Sequence, residues 1–149
     1  MKQFKFSMQK ILEYKSHMEE NEKAILEQMH SLYNRFCSEM IDMKNEYKRL
    51  QLKNEQMFKI GVAVCEVMVF KSYLSDLIGR MELQQEKIKK AELQIDNQII
   101  KIIKISQDKT VMEKLKQKYQ VTYREQQRKE TELFIDDFVA NTNHLKFSS

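Results

Sequence analysis

The chain contains no proline, no tryptophan and only two glycines, Gly61 and Gly79, among 149 residues. An average chain of this length carries roughly seven prolines and ten glycines. Proline removes a backbone donor and clashes with the preceding turn, and glycine weakens a helix interior. Without these breakers there are few places where a helix must stop. Cysteine is scarce as well. Cys37 and Cys65 stand far apart, with no CxxC pair and no secretory leader, and read as free thiols of a reducing compartment. The opening "MKQFKFSMQK" lacks the apolar core of a signal peptide. The Val62–Ile78 run is interrupted by Glu66, Lys71 and Asp76, which argues against a membrane span. A soluble cytoplasmic chain is expected.

The residues that carry chemistry are equally sparse. His17, His30 and His144 are scattered, without the i,i+4 or cysteine partners of a metal site. No glycine-rich loop is present to cradle phosphate, and no Ser–His–acid set can be assembled. Adjacent carboxylates such as Asp136 and Asp137 fit solvated helix surface. No catalytic residue, metal or cofactor is therefore expected, and the protein is not read as an enzyme. The net charge is +4, from 26 basic and 22 acidic residues. A nucleic-acid binder shows a stronger, clustered excess and a recognisable motif. Neither is found.

What the chain does have is Glu, Lys, Gln, Leu and Met, all good helix formers. Met29, Phe36, Met43, Leu50, Met57 and Val64 advance by sevens. Tyr33, Met40, Tyr47, Asn54, Gly61 and Met68 follow each of them by four. Alternating steps of four and three define a coiled-coil seam. Upstream, Ile11, Met18, Ile25 and Leu32 continue a stripe with a stutter in register. Residues from about 4 to about 58 then form one helix roughly 80 Å long. In the second half Leu74, Met81, Ile88, Ile95 and Ile102 repeat by sevens. Leu77, Ala91, Ile105, Met112, Tyr119 and Leu133 form the companion series, with Gln84, Gln98 and Gln126 interrupting. A second helix is expected over about 79–139, with "NTNHLKFSS" (140–149) frayed.

The charges suggest how the helices pair. If the chain folds between the two glycines, residues near Glu20 come opposite residues near Lys118, so that Glu13, Glu19, Glu20, Glu22 and Glu27 face the basic band Lys109, Lys114, Lys116, Lys118, Arg124, Arg128 and Lys129. Lys2, Lys5 and Lys10 then approach Glu130, Glu132, Asp136 and Asp137. Each exposed pair is weak, but the pattern selects one pairing. The expected fold is all-α: two long helices in an antiparallel coiled-coil hairpin within one domain, closed by a short apolar helical joint over about 59–79. In that joint Val64, Val67, Met68, Tyr73, Leu74 and Leu77 can cap the helix tips. A satisfied mini-core is the favoured reading of this run, and an exposed partner-binding patch is the other. Met29, Met40, Met43, Met57 and Met68, with Phe36, Tyr33 and Tyr47, serve either as adaptable core or as a docking surface.

The order of "MKQFKF", "QKILEYK", "FKSYLSDLI" and "MEKLKQKYQVTYREQQRKETELFIDDF" resembles the flagellar export protein FliJ family over about residues 2–138. The family often ends the last motif in Asp-Glu where Asp136-Asp137 stand here. This resemblance implies a stalk-like component of the flagellar type III protein export apparatus. It implies three partners: the export ATPase hexamer, the cytoplasmic domain of the export gate, and export chaperones. The implied location is peripheral, at the inner face of the cell membrane at the flagellar base. By position the resemblance assigns Lys5, Lys10, Arg124 and Arg128 to the ATPase ring. It assigns Met40, Met43, Tyr47, Tyr73 and Leu77 to the gate. The competing readings are a structural tether or filament without an ATPase partner, and a binder of nucleic acid or membrane surface through Lys109–Lys129. Weak self-association stays open.

Overall fold

A computed structural model describes residues 2–61 and 63–147 of the chain. It consists of two helices, α1 (Gln9–Ile60) and α2 (Val64–Phe147), with no strand among the described residues. The contacts between them make an all-α helical hairpin. Two compact units can be distinguished, Asn21–Ile102 and Met1–Glu20 with Ile103–Ser149.

Within Asn21–Ile102 the seam is the one that the heptads predict. Leu50 of α1 and Leu77, Ile88, Ala91, Ile95 and Ile102 of α2 are buried, with Leu77 fully so. Met29, Phe36, Met40, Met43, Tyr47 and Met57 are half-buried along α1. The two glutamines that interrupt the apolar series are buried and fully used. The Gln84 side-chain amide donates to the Phe36 carbonyl at 2.9 Å and to the Glu39 carboxylate at 3.1 Å. Fourteen positions on, Gln98 donates to the Glu22 carbonyl at 3.0 Å and also to the Glu22 carboxylate. A buried amide without partners is costly, so these bonds hold α1 and α2 in one register. Lys101 reaches Glu22 at 2.9 Å, and the Gln98 and Lys101 bonds together hold its carboxyl below the ordinary value. The Tyr33 hydroxyl donates to Glu92 at 3.0 Å. Hydrogen bonding with Cys37 and then with Glu92 pushes its pKa up to about 12.

The second unit contains the beginning of the chain and the last part of α2. Residues 2–8 are not helical, so the helix starts later than the periodicity suggests. The Phe-x-Phe spacing explains why. In an extended segment alternate residues share a side, and Phe4 and Phe6 both turn to α2. Phe6 is buried against Tyr119 with ring centroids 6.1 Å apart, and Phe4 lies 5.5 Å from Tyr123. Leu12, Ile105 and Met112 complete this core. Lys15 pairs with Asp108 at 3.2 Å, Lys109 lies 4.0 Å from Glu19, and Lys116 donates to Gln9 at 2.7 Å.

Four expectations are corrected. First, the chain breaks once rather than twice. Gly61 has a positive φ of 82°, and its amide caps the end of α1 by donating to the Met57 carbonyl at 3.1 Å. Ala63 then accepts the first amides of α2, from Glu66 and Val67. Gly79 lies inside α2, where good helix formers on both sides and the buried Leu77 outweigh its propensity cost. There is accordingly no separate joint helix: residues 64–78 are the first turns of α2, and Val62 lies outside the described residues. Second, with α1 ending at Ile60 and α2 beginning at Val64, Glu19 meets Lys109 and not the Lys118 end of the basic band. Third, α1 needs no stutter. Ile11, Ile25 and Leu32 are exposed, and the seam runs back in unbroken heptads through Leu26, Glu22, Glu19 and Leu12. Two glutamates at seam positions had hidden it. Fourth, residues 140–147 are helical, since no breaker stops α2; Ser148 and Ser149 lie outside the described residues.

Candidate partner-binding surfaces

The turn carries the first surface. α1 arrives with Met57, Phe58 and Ile60, and α2 leaves with Val64, Met68 and Val69 on its first two turns. Phe58, Ile60, Val64, Met68 and Val69 are all exposed, Ile60 to 82%. The mini-core reading holds for Val67, Leu74 and Leu77 and fails for Val64, Met68 and Tyr73, which stay exposed. Two helices of which one ends at Ile60 and the next begins at Val64 have too little opposing surface there to cover apolar side chains on every side of α2. Met57, Cys65, Glu66, Val69, Phe70 and Tyr73 line an open groove of about 620 Å³. Tyr73 is fixed at its edge. Its hydroxyl donates to Glu46 at 2.6 Å, and the Arg80 guanidinium lies 5.9 Å from its ring centroid. A large apolar patch of this kind on a chain rich in charge is characteristic of an interaction site.

The residues assigned to this region by resemblance fall into three classes. Tyr73 is partly exposed and touches the groove. Met40, Met43 and Tyr47 are half-buried along α1, on the side that packs against α2, and Met43 also borders a groove with Arg80, Leu83 and Lys87. Leu77 is completely buried, so it belongs to the core, one turn along α2 from Tyr73. Sequence reasoning passed over Phe58, Ile60 and Val69, whose density in an otherwise polar chain was the available signal.

The second surface lies where the first residues meet α2. Lys2, Phe4, Lys5, Tyr119, Tyr123 and Glu130 line a groove of about 860 Å³. The Tyr123 hydroxyl donates to the Lys2 carbonyl and accepts from Gln127. A neighbouring groove of about 600 Å³ brings Lys5 and Lys10 together around Phe6. Arg124 and Arg128 are exposed one turn apart on α2, and Arg128 pairs with Glu132 at 3.6 Å. Lys5 and Lys10 thus share one groove, while the two arginines form a separate basic strip. No cluster of His, Cys, Asp and Glu able to hold a metal occurs among the described residues. No helix of the described residues is long and apolar enough to cross a membrane.

These features define the protein first as an all-helical hairpin with an apolar surface at its turn and a basic, aromatic one where the first residues pack on α2. The chain belongs to the flagellar FliJ protein family, whose model matches residues 4–146. Membership makes it a component of the flagellar protein export apparatus, in a family of non-catalytic components. No curated protein and no solved structure matches the chain.

Proposed function

We propose that this protein acts as a stalk-like coiled coil that joins the flagellar export ATPase ring to the export gate and helps deliver chaperones with their cargo. It works in the cytoplasm, at the inner face of the membrane at the flagellar base. The exposed apolar groove at the turn supports this reading, because a family of export components functions by contact with other proteins and this groove is the part of the hairpin most in need of cover. The cytoplasmic domain of the gate docks there, on Tyr73 and along Met40, Met43 and Tyr47, with Leu77 in the core one turn along α2 from Tyr73. The ATPase ring takes the opposite chemistry: the cations Lys5 on the extended first residues and Lys10 on the first turn of α1, with Arg124 and Arg128 on α2. Cationic side chains around a partner's acidic rim speed encounter and fix register.

Pull-down with the gate's cytoplasmic domain tests the first half. Tyr73→Ala and Tyr47→Ala each weaken capture about tenfold while leaving the helix signal intact. Unchanged capture by both variants removes the gate assignment. For the second half, the wild-type chain enhances hexamer formation and ATP hydrolysis by the export ATPase. A Lys5→Glu, Lys10→Glu, Arg124→Glu, Arg128→Glu variant does not.

A further inference from the structure

Within the unit that holds residues 103–149, the side of α2 turned away from α1 carries a second periodic row. Ile105, Lys109, Met112, Lys116 and Tyr119 mark the inner side. Ile105 and Met112 are buried, Lys109 reaches Glu19, Lys116 donates to Gln9, and Tyr119 meets Phe6. A step of two residues turns about 200° around a helix. Gln107, Val111, Lys114, Lys118 and Val121 each stand two residues beyond one of these, and with Lys104 they make a row in steps of three and four. Every member is exposed, Val111 to 66%. From Lys104 to Lys118 the chain has five lysines and two carboxylates. Both carboxylates lie off the row and are occupied, Asp108 by Lys15 at 3.2 Å and Glu113 by Lys109 at 4.0 Å. Among the described residues no ion pair involves Lys104, Lys114 or Lys118. The result is a straight strip about 25 Å long, carrying lysine and valine and no negative charge, which Glu125 ends at the next step.

We propose that this row rests on the anionic headgroups of a lipid bilayer. Three lysines without counter-ions in the chain call for an anionic surface, and the residues between them select its kind. Protein interfaces are anchored by large aromatic side chains and arginine and are poor in lysine. The row has neither an aromatic residue nor an arginine. Nucleic acid is held in a basic groove with stacking aromatics or arginine forks, and a convex helix side offers neither. Lysine suits headgroups, because a compact charge on a flexible stem reaches phosphates of no fixed geometry. Val111 and Val121 then sit level with the boundary between headgroups and acyl chains. With no large apolar residue in the row, α2 lies along the surface. Each lysine near an anionic leaflet raises partition about fivefold, so the three together give roughly a hundredfold. The attraction fades beyond about 10 Å at 0.1 M salt. The proposal goes beyond the gate and ring assignments. The turn groove, Lys5, Lys10, Arg124 and Arg128 take no part in it, so either can fail without the other.

Co-sedimentation of the full chain with vesicles tests it, using phosphatidylcholine alone or mixed with about 40% phosphatidylglycerol. The chain pellets with the anionic vesicles at about 50 mM salt, stays in solution with the neutral ones, and is released at about 500 mM salt. The triple variant Lys104→Glu, Lys114→Glu, Lys118→Glu lowers partition at least about a hundredfold. Lys44→Glu, Lys48→Glu, Lys53→Glu makes the same change of net charge at exposed positions of α1 and lowers it less than about tenfold. Because the chain has no tryptophan, a Val111→Trp reporter is read alone. Its emission shifts to the blue on anionic vesicles. Tyr14→Trp, exposed on α1 two residues past buried Leu12, shows no shift. The proposal is overturned by no binding, by equal binding to neutral and anionic vesicles, or by equal losses in the two triple variants. Equal shifts of the two reporters overturn it too, as does tighter binding to duplex DNA or polyglutamate than to the anionic vesicles.

Discussion

Two stretches of α2 read almost alike. Residues 77–112 and residues 131–147 both repeat apolar side chains in steps of three and four. Yet Leu77, Ile88, Ile95, Ile105 and Met112 are buried, whereas Phe134 and Phe138 are exposed. Periodicity marks the face of a helix that wants a partner, and it is silent on whether the same chain supplies one. The partner is supplied where the turn brings α1 alongside. Moving the turn along the sequence would change which stretch is core and which is surface, with no change in helix content.

The largest test of this contrast is Leu77→Ala against Phe134→Ala. A fully buried leucine lost from a packed seam leaves a cavity, and hairpin stability falls by about 2–5 kcal/mol in denaturant titration. Phe134→Ala, measured at low protein concentration, changes stability by less than about 0.5 kcal/mol. Equal effects would mean that the end of α2 is packed within its own chain.

A smaller test separates the two glycines. Gly61→Ala forces a side chain into a left-handed conformation and costs about 1 kcal/mol, although nothing crowds the site. Gly79→Ala meets open space in a helical backbone and stabilises by about 0.5–1 kcal/mol. Thermal unfolding should move in opposite directions for the two variants.

The smallest effect is expected at Glu22. The carboxyl is held below its ordinary value by hydrogen bonds from Gln98 and Lys101. Its contribution is therefore complete above the ordinary glutamate range near pH 4.5 and is lost as pH falls through the lowered value. Glu22→Gln should flatten that acid limb of the stability profile and leave the neutral plateau nearly unchanged. An identical acid limb in the variant would show that the Gln98 and Lys101 contacts do not discriminate the charged form.

Much of this fold can be read from residues alone. The Met29–Met57 and Leu74–Met112 seams follow directly from spacing, and the antiparallel hairpin from the charge bands. The position of the turn does not, because Gly61 and Gly79 look equivalent until the backbone shows that only one adopts a positive φ. The charge bands were legible, but their register depended on that turn. Glu19 and Glu22 concealed the upstream seam because a carboxylate on a buried stripe looks like an interruption; hydrogen bonds from Gln98 to Glu22 and pairing with Lys109 and Lys101 make it part of the stripe. The assigned partner residues fared unevenly for a related reason. Leu77 and Tyr73 lie one turn apart, and a pattern of apolar residues does not distinguish the buried one from the one at the groove.

Gln84 and Gln98 also act as a vernier scale. Because they are spaced by two whole heptads, and their acceptors at Phe36 and Glu22 by the same interval, both amides are satisfied together in the observed alignment. Sliding the helices by one heptad takes Gln98 off the Glu22 carboxylate, with Met29 or Lys15 in its place, while Gln84 meets Glu46 or Leu32 in place of Glu39. Sliding by two recovers at most one of them. Creep between α1 and α2 in this part of the hairpin is thus replaced by discrete, unequal detents, and a pull along the helix axis is resisted until it is large enough to skip one.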